Sequence, residues 1–155
     1  MFKAYGKRMK APYYLAKMVE DNRFGKKSGL GFYKYEGKKK EADNSVYNLL
    51  GLGSDRKTAN IDELGERLIL PMLNEAIMCL DESVAGQPGN DAAGQVDLAT
   101  VMGTGFAPFR GGAIKYSETI GAENLLAKFN KYTGERFNAC DGIKSRAEKS
   151  TSFYS

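Results

Sequence analysis

The most regular alternation of apolar and polar positions lies between Asp62 and Val84. Leu64, Leu68, Ile69, Met72, Leu73, Ala76, Ile77 and Leu80 recur at steps of three and four, which predicts a helix with one broad apolar face. Glu66, Arg67, Asn74, Glu75, Asp81 and Glu82 fall opposite and read as its solvated side. Asn60 with Glu63 three residues on resembles a capping box, Asp62 being the alternative cap. Pro71 sits inside the pattern, and its missing N–H and its ring predict a bend there. A local rule broken in the strongest element points to a shaped packing surface. Asn74 and Glu75, just past the proline, become functional or interface candidates.

Shorter helical patterns flank this one. Ala11-Pro12 to Arg23 carries Leu15, Met18 and Val19 on one stripe. Gln87-Pro88-Gly89 breaks the chain, and Asn90 or Asp91 can cap a helix over about 91–103. Ala113 to Ile120 predicts a third, ended by Gly121; Glu123 to Tyr132 a fourth; Cys140 to Glu148 a fifth, before a tail closing on Phe153-Tyr154. In SGLGFYKY, Gly29 and Gly31 predict a turn followed by a short extended segment. Lys38-Lys39-Lys40 reads as a solvated loop. With no convincing pair of alternating strands, the fold class reads as all-α.

Composition narrows the function classes. The 155 residues are 42% hydrophobic and 27% charged, the balance of a globular chain. No apolar run approaches the roughly 20 residues of a membrane span, and MFKAYGKRMK lacks the apolar core of a secretory signal. The expectation is an intracellular protein without a transmembrane segment. There is no histidine, which excludes His-based nucleophilic triads and His-ligated metals within this chain. Cys79 and Cys140 read as small buried hydrophobes in a reducing compartment.

The net charge of +4 is uneven. Residues 1–60 hold 14 basic and 6 acidic side chains, residues 61–155 hold 9 and 13. The change falls in the polar, glycine-containing stretch Asn44–Asn60, which marks a boundary. The lysines lie on loops without an aromatic platform, so no nucleic-acid partner is expected. An acidic partner of another kind stays open.

Gly103-Thr104-Gly105 invites a phosphate-loop reading, but Pro108 stands where a third glycine belongs and no strand precedes it. Gly103 and Gly105 read instead as helix-end and turn glycines. Phe106, Pro108 and Phe109 read as core plugs, with Arg110 in the same run, and Gly111-Gly112 as a point of close helix approach. No carboxylates form a recognisable catalytic pair. A weak internal repeat is also present: Leu15, Met18, Asn22, Lys26-Lys27-Ser28 and Phe32-Tyr33 are echoed by Ile143, Ala147, Lys149-Ser150 and Phe153-Tyr154. It suggests a tandem duplication whose first copy is cut short.

Three stretches in order carry a resemblance: DNRFGKKSGLGFYKY (21–35), ERLILPMLNEAIMCLDESVA (66–85) and DLATVMGTGFAPFRGG (97–112). They resemble the C-terminal helical region of 3-hydroxyacyl-CoA dehydrogenases, as found in multifunctional fatty-acid oxidation alpha subunits. The resemblance implies a complete second helical copy (61–155) preceded by the basic end of a first copy and a connecting segment (1–60). The family's NAD site and catalytic histidine lie on a Rossmann part absent here. The implied role is therefore non-catalytic, with no cofactor bound by this chain and NAD belonging to the parent enzyme, which oxidises (S)-3-hydroxyacyl-CoA.

Where the first copy of the family has an Asn-Arg pair, this chain has Glu66-Arg67, as suits a supporting copy. The implied partners are the Rossmann and hydratase portions of the parent or a homologous subunit, or a homo-oligomer. The implied compartment is the bacterial cytoplasm or the mitochondrial matrix. Pro71, Asn74, Gly103, Gly105, Phe106, Pro108, Phe109, Gly111 and Gly112 are the expected fold-specifying residues, and no catalytic or metal-binding residue is expected. The alternative of another class is a stand-alone scaffold subunit whose truncated first copy leaves apolar surface open; a weaker alternative is a module that binds coenzyme A, its phosphates drawn to the lysines of the basic segment.

Overall fold

The computed structural model describes residues 2–9, 11–53, 58–87 and 89–155. Met1 and Lys10 of the basic start, residues 54–57 of the polar boundary stretch, and Pro88 of the Gln87-Pro88-Gly89 break lie outside the described residues. The chain divides into two units, Met1–Thr58 and Ala59–Ser155. Helix is the commoner regular structure in both.

The first unit contains α1 (Phe2–Tyr5), a 3-10 turn (Gly6–Met9), α2 (Tyr13–Glu20), β1 (Tyr33–Glu36), β2 (Lys39–Ala42) and α3 (Ser45–Leu50). The strands form an antiparallel hairpin with Tyr33 opposite Ala42 and Glu36 opposite Lys39. This corrects one expectation, since Lys39 and Lys40 lie on a strand rather than in a loop; β1 is the extended segment expected after Gly31, and with so small a ribbon the all-α class of the chain holds. Every residue of the ribbon is exposed except half-buried Tyr35, so no apolar alternation marks it in sequence. Helix α3 was not expected either. It lies in the boundary stretch and ends at Gly51, whose φ of 67° is left-handed.

Met18, Val46 and Leu50 form the buried core of this unit, with Leu49 packed against them. So small a core leaves much to polar ties. Arg23 donates to Asp43 Oδ2 at 2.6 Å, to the Gly31 carbonyl at 3.0 Å and to Ser45 Oγ at 2.6 Å. It thereby joins the exit of α2, the turn before β1 and the start of α3.

The second unit runs α4 (Ile61–Asp81), α5 (Asn90–Thr104), a 3-10 turn (Pro108–Arg110), α6 (Ala113–Ile120), α7 (Ala122–Phe129), a 3-10 turn (Glu135–Phe137) and α8 (Asp141–Lys149). Asn60 caps α4: its Oδ1 accepts from the N–H groups of Asp62 and Glu63 at 2.9 and 3.4 Å. The helix continues through Pro71. Because proline has no N–H, the Arg67 carbonyl lacks its usual donor four residues on.

Leu70, Leu73, Ile77 and Leu80 are buried, and the core they start is completed by Ala92, Ala93, Val96, Phe106, Ile114, Leu125, Phe129, Ile143 and Phe153. The single broad apolar face expected for α4 is in fact two faces. Ile61, Leu64 and Leu68 point away from this core, and Leu68 is 79% exposed. Helix α5 begins at Asn90 with Gly89 in the cap position, so Asp91 lies inside the first turn rather than at the cap, and the side chain of Asn90 lies outside the described residues. No described helix is long and apolar enough to cross a membrane.

Candidate functional site

The junction of α5 and α6 gathers most of the residues singled out in sequence. Gly105 ends α5 in the left-handed region, φ 71°. Gly103 is no end glycine, since it sits within the last turn of α5. Phe106 is buried, with its ring 6.1 Å from that of Tyr116. Phe109 is no core plug: it is 83% exposed, and Pro108 is exposed beside it. Arg110 lies over the rings of Phe109 and Tyr116 at 5.4 and 5.0 Å.

Gly112 precedes α6 and has no side chain to cap it, so the cap comes from α5. The buried Asp97 carboxylate accepts from the N–H of Ile114 at 2.6 Å and of Lys115 at 3.1 Å. Thr100 Oγ1 accepts from Ala113 N–H at 3.2 Å. Three of the four unpaired N–H groups that a helix start exposes are thus met from a neighbouring helix, where a negative charge also suits the helix dipole. A Cβ on Gly112 would overlap Asp97, and at φ 116° an L side chain would be strained as well. The close approach expected of this glycine pair is real at Gly112; at Gly111 an added Cβ would meet only the Lys115 side chain.

The same carboxylate holds the chain's last residues, because the Tyr154 hydroxyl donates to Asp97 Oδ2. Burial and the adjacent carboxylate both raise the pKa of Tyr154 well above the ordinary phenol value. Phe153 beside it is 1% exposed, and its N–H donates to Glu118 at 2.8 Å. Sequence reading missed Asp97. One anionic residue on the buried side of α5, ahead of two glycines that cannot cap, was the available signal.

The other candidates lie on α4. Asn74 donates to the Asn138 carbonyl at 3.2 Å and accepts from Cys140 N–H at 2.8 Å, fixing the segment that leads into α8. Arg146 donates to Asp81 at 2.8 Å, and Gly142 lets the helices meet there, since a Cβ would strike the Asp81 carboxylate. Glu66 is not a solvated surface group. It accepts from Lys128 and, at 3.0 Å, from the Tyr132 hydroxyl, and the Lys128 contact chiefly holds its pKa below the usual range. Arg67 lies 5.3 Å from the Tyr132 ring centre. Pro71 and Glu75 are half-buried. So are Cys79 and Cys140, which form no disulfide. Burial pushes the Cys140 thiol up, away from a reactive thiolate.

The polar side chains of these clusters are therefore engaged with one another and with helix ends. Among the described residues no group of three potential metal ligands occurs. What stays open is apolar: Ile61, Leu64 and Leu68 form a stripe along α4 that continues to half-buried Met72 and Cys79. Leu98, Met102 and Phe109 are also exposed.

No family model matches the chain. Individual proteins do. A fatty acid oxidation complex subunit alpha from Vibrio vulnificus is 41% identical over 152 residues, covering 96% of this chain and 21% of that protein. The subunit of the same name from Vibrio cholerae is 42% identical over 158 residues, covering 99% and 22%. That from Shewanella loihica is 39% identical over 159 residues, covering 98% and 21%. The chain thus spans about one fifth of the length of the relatives it matches. Over nearly its whole length the chain is similar to one segment of the fatty acid oxidation complex alpha subunit, and it matches that part of the protein alone.

Proposed function

We propose that this chain is the C-terminal helical part of a fatty-acid β-oxidation 3-hydroxyacyl-CoA dehydrogenase, and that it supports the reaction without performing it. The reaction is NAD-linked oxidation of (S)-3-hydroxyacyl-CoA, carried by the rest of the subunit. In this reading the second unit docks on the dehydrogenase part, stabilises it and helps to wall the acyl-CoA cleft.

The observation that carries the reading is the second apolar face of α4. A helix that buries Leu70, Leu73, Ile77 and Leu80 on one side normally turns polar residues to water on the other. Here the other side offers Ile61, Leu64 and Leu68, and contiguous exposed apolar surface of this kind marks an interaction site. The relatives supply an occupant, since four fifths of their length lies outside the matched segment. The engagement of Asp43, Glu66, Asp81 and Asp97 in ties within the fold supports a structural role.

The test is reconstitution with the remainder of the Vibrio vulnificus alpha subunit, produced as a separate chain. With acetoacetyl-CoA and NADH, this chain alone gives no turnover, while its addition raises the melting temperature and activity of the remainder. Leu68→Glu removes that gain. Turnover by the chain alone, free of contaminating enzyme, would overturn the reading, as would a remainder indifferent to its addition.

A further inference from the structure

The two halves of the internal repeat meet different fates in the structure. In the second unit Ile143 is fully buried, Ala147 half-buried, Phe153 1% exposed, and the Tyr154 hydroxyl is held by Asp97. Of the matching residues in the first unit Met18 is buried, but Leu15 is exposed, Phe32 is 48% exposed and Tyr33 is exposed. The local backbone agrees where the helices end: Asn22 after α2 and Ser150 after α8 are both left-handed, with φ of 55° and 50°. Both units thus present a helix, a left-handed exit and a Phe-Tyr pair, but among the described residues only the second has a body of helices to receive it. There α8 packs on α4 and α7, and the tail crosses Glu118 and Asp97.

We infer that Phe32 and Tyr33 are a docking pair for a helical body built like α4 to α7, into which Phe32 inserts while Tyr33 donates its hydroxyl to a helix carboxylate equivalent to Asp97. The occupant is a segment of the alpha subunit outside this chain; the inference rests on the reading above and adds which residues of the first unit engage it. Three observations converge on it. The Tyr33 hydroxyl has no hydrogen-bond partner among the described residues, whereas its ring is already set by Lys40, 4.7 Å from the centroid, and by Tyr35. The open residues Leu15 and Phe32 are those whose counterparts, Ile143 and Phe153, are covered in the complete copy. Charge also fits. The first unit carries 14 basic against 6 acidic side chains, while the stretch from α4 to α7, the example of such a body in this chain, carries 10 acidic against 4 basic.

The experiment titrates this full chain against the same remainder of the Vibrio vulnificus alpha subunit, by calorimetry. Tyr33→Phe is expected to weaken binding about tenfold, the worth of a hydrogen bond to a charged group. Phe32→Ala is expected to weaken it by roughly a hundredfold or more. Both side chains are half out in solvent here, so unchanged melting curves of the variants will separate lost docking from lost folding. If both variants bind like the parent chain, the docking pair is refuted while the reading based on Leu68 stands. If the parent chain itself does not bind, both fail. A chain that self-associates, and loses that association on Tyr33→Phe, would make a second copy the occupant and refute the inference as stated.

Discussion

Arg23 Nη1 and Asp43 Oδ2 stand 2.6 Å apart, with both side chains almost wholly removed from solvent. The guanidinium also reaches Asp21 at 2.6 Å and Ser45 at 2.6 Å, so one cation organises three segments of a unit whose buried apolar core is small. A pair taken so far out of water is costly to break from one side, because the other charge is left without its partner.

Asp43 titration gives the first prediction. The hydrogen bond from Arg23 holds its carboxyl well below the usual range in the folded state. Its contribution to stability is therefore complete above the unfolded pKa of about 4 and is lost as pH falls below it. Melting curves recorded by circular dichroism from pH 7 to pH 2 will show it. Asp43→Asn will lower the melting temperature at pH 7 and flatten the acid limb. Arg23→Lys will not restore the parent behaviour, since a single ammonium cannot span Gly31, Asp43 and Ser45.

The glycine pair before α6 separates by position. Gly112→Ala combines a left-handed φ with overlap on Asp97, and should cost about 2–4 kcal/mol in denaturant unfolding. Gly111→Ala has φ 82° but meets only the flexible Lys115 side chain, so about 1 kcal/mol is expected. Equal costs would contradict the packing described for Asp97.

The two faces of α4 should respond differently in the isolated chain. Leu73→Ala empties a fully buried site and should destabilise by about 2–5 kcal/mol. Leu68→Ala, on the open face, should stay within about 0.5 kcal/mol. Urea titration of the two variants is the measurement.

Tyr154→Phe removes one of the donors to a buried carboxylate and should cost about 1.5–3 kcal/mol. Because the folded pKa of this phenol is raised, its contribution is complete below the unfolded value of about 10 and is lost as pH rises beyond it. The parent chain should lose stability at alkaline pH more steeply than the phenylalanine variant.

The helices of the second unit were legible because they bury apolar residues at helical spacing; Ala113–Ile120 ends where the sequence places it, and Asn60 is the cap of α4. The hairpin was not, because a two-stranded ribbon with both faces in water requires no alternation. Helix α3 escaped because only Val46 and Leu50 are buried along it and glycines follow closely. Spacing along one helix shows which residues share a side, but not what stands opposite. Glu66 and Asp81 therefore read as solvated until Lys128 and Arg146 were seen to meet them. Phe109 misled for the converse reason: its aromatic character suggests interior, and the 3-10 turn carries it outward.

Asp97 gives this fold an internal gauge. The amide protons of Ile114 and Lys115 are held by the same carboxylate that receives the Tyr154 hydroxyl. Whenever the tail lifts, that carboxylate is opened to water, and the protection of those two amides against hydrogen exchange should fall with it. The resonances of these two amides therefore report whether Phe153 and Tyr154 are seated, without any label attached to the tail.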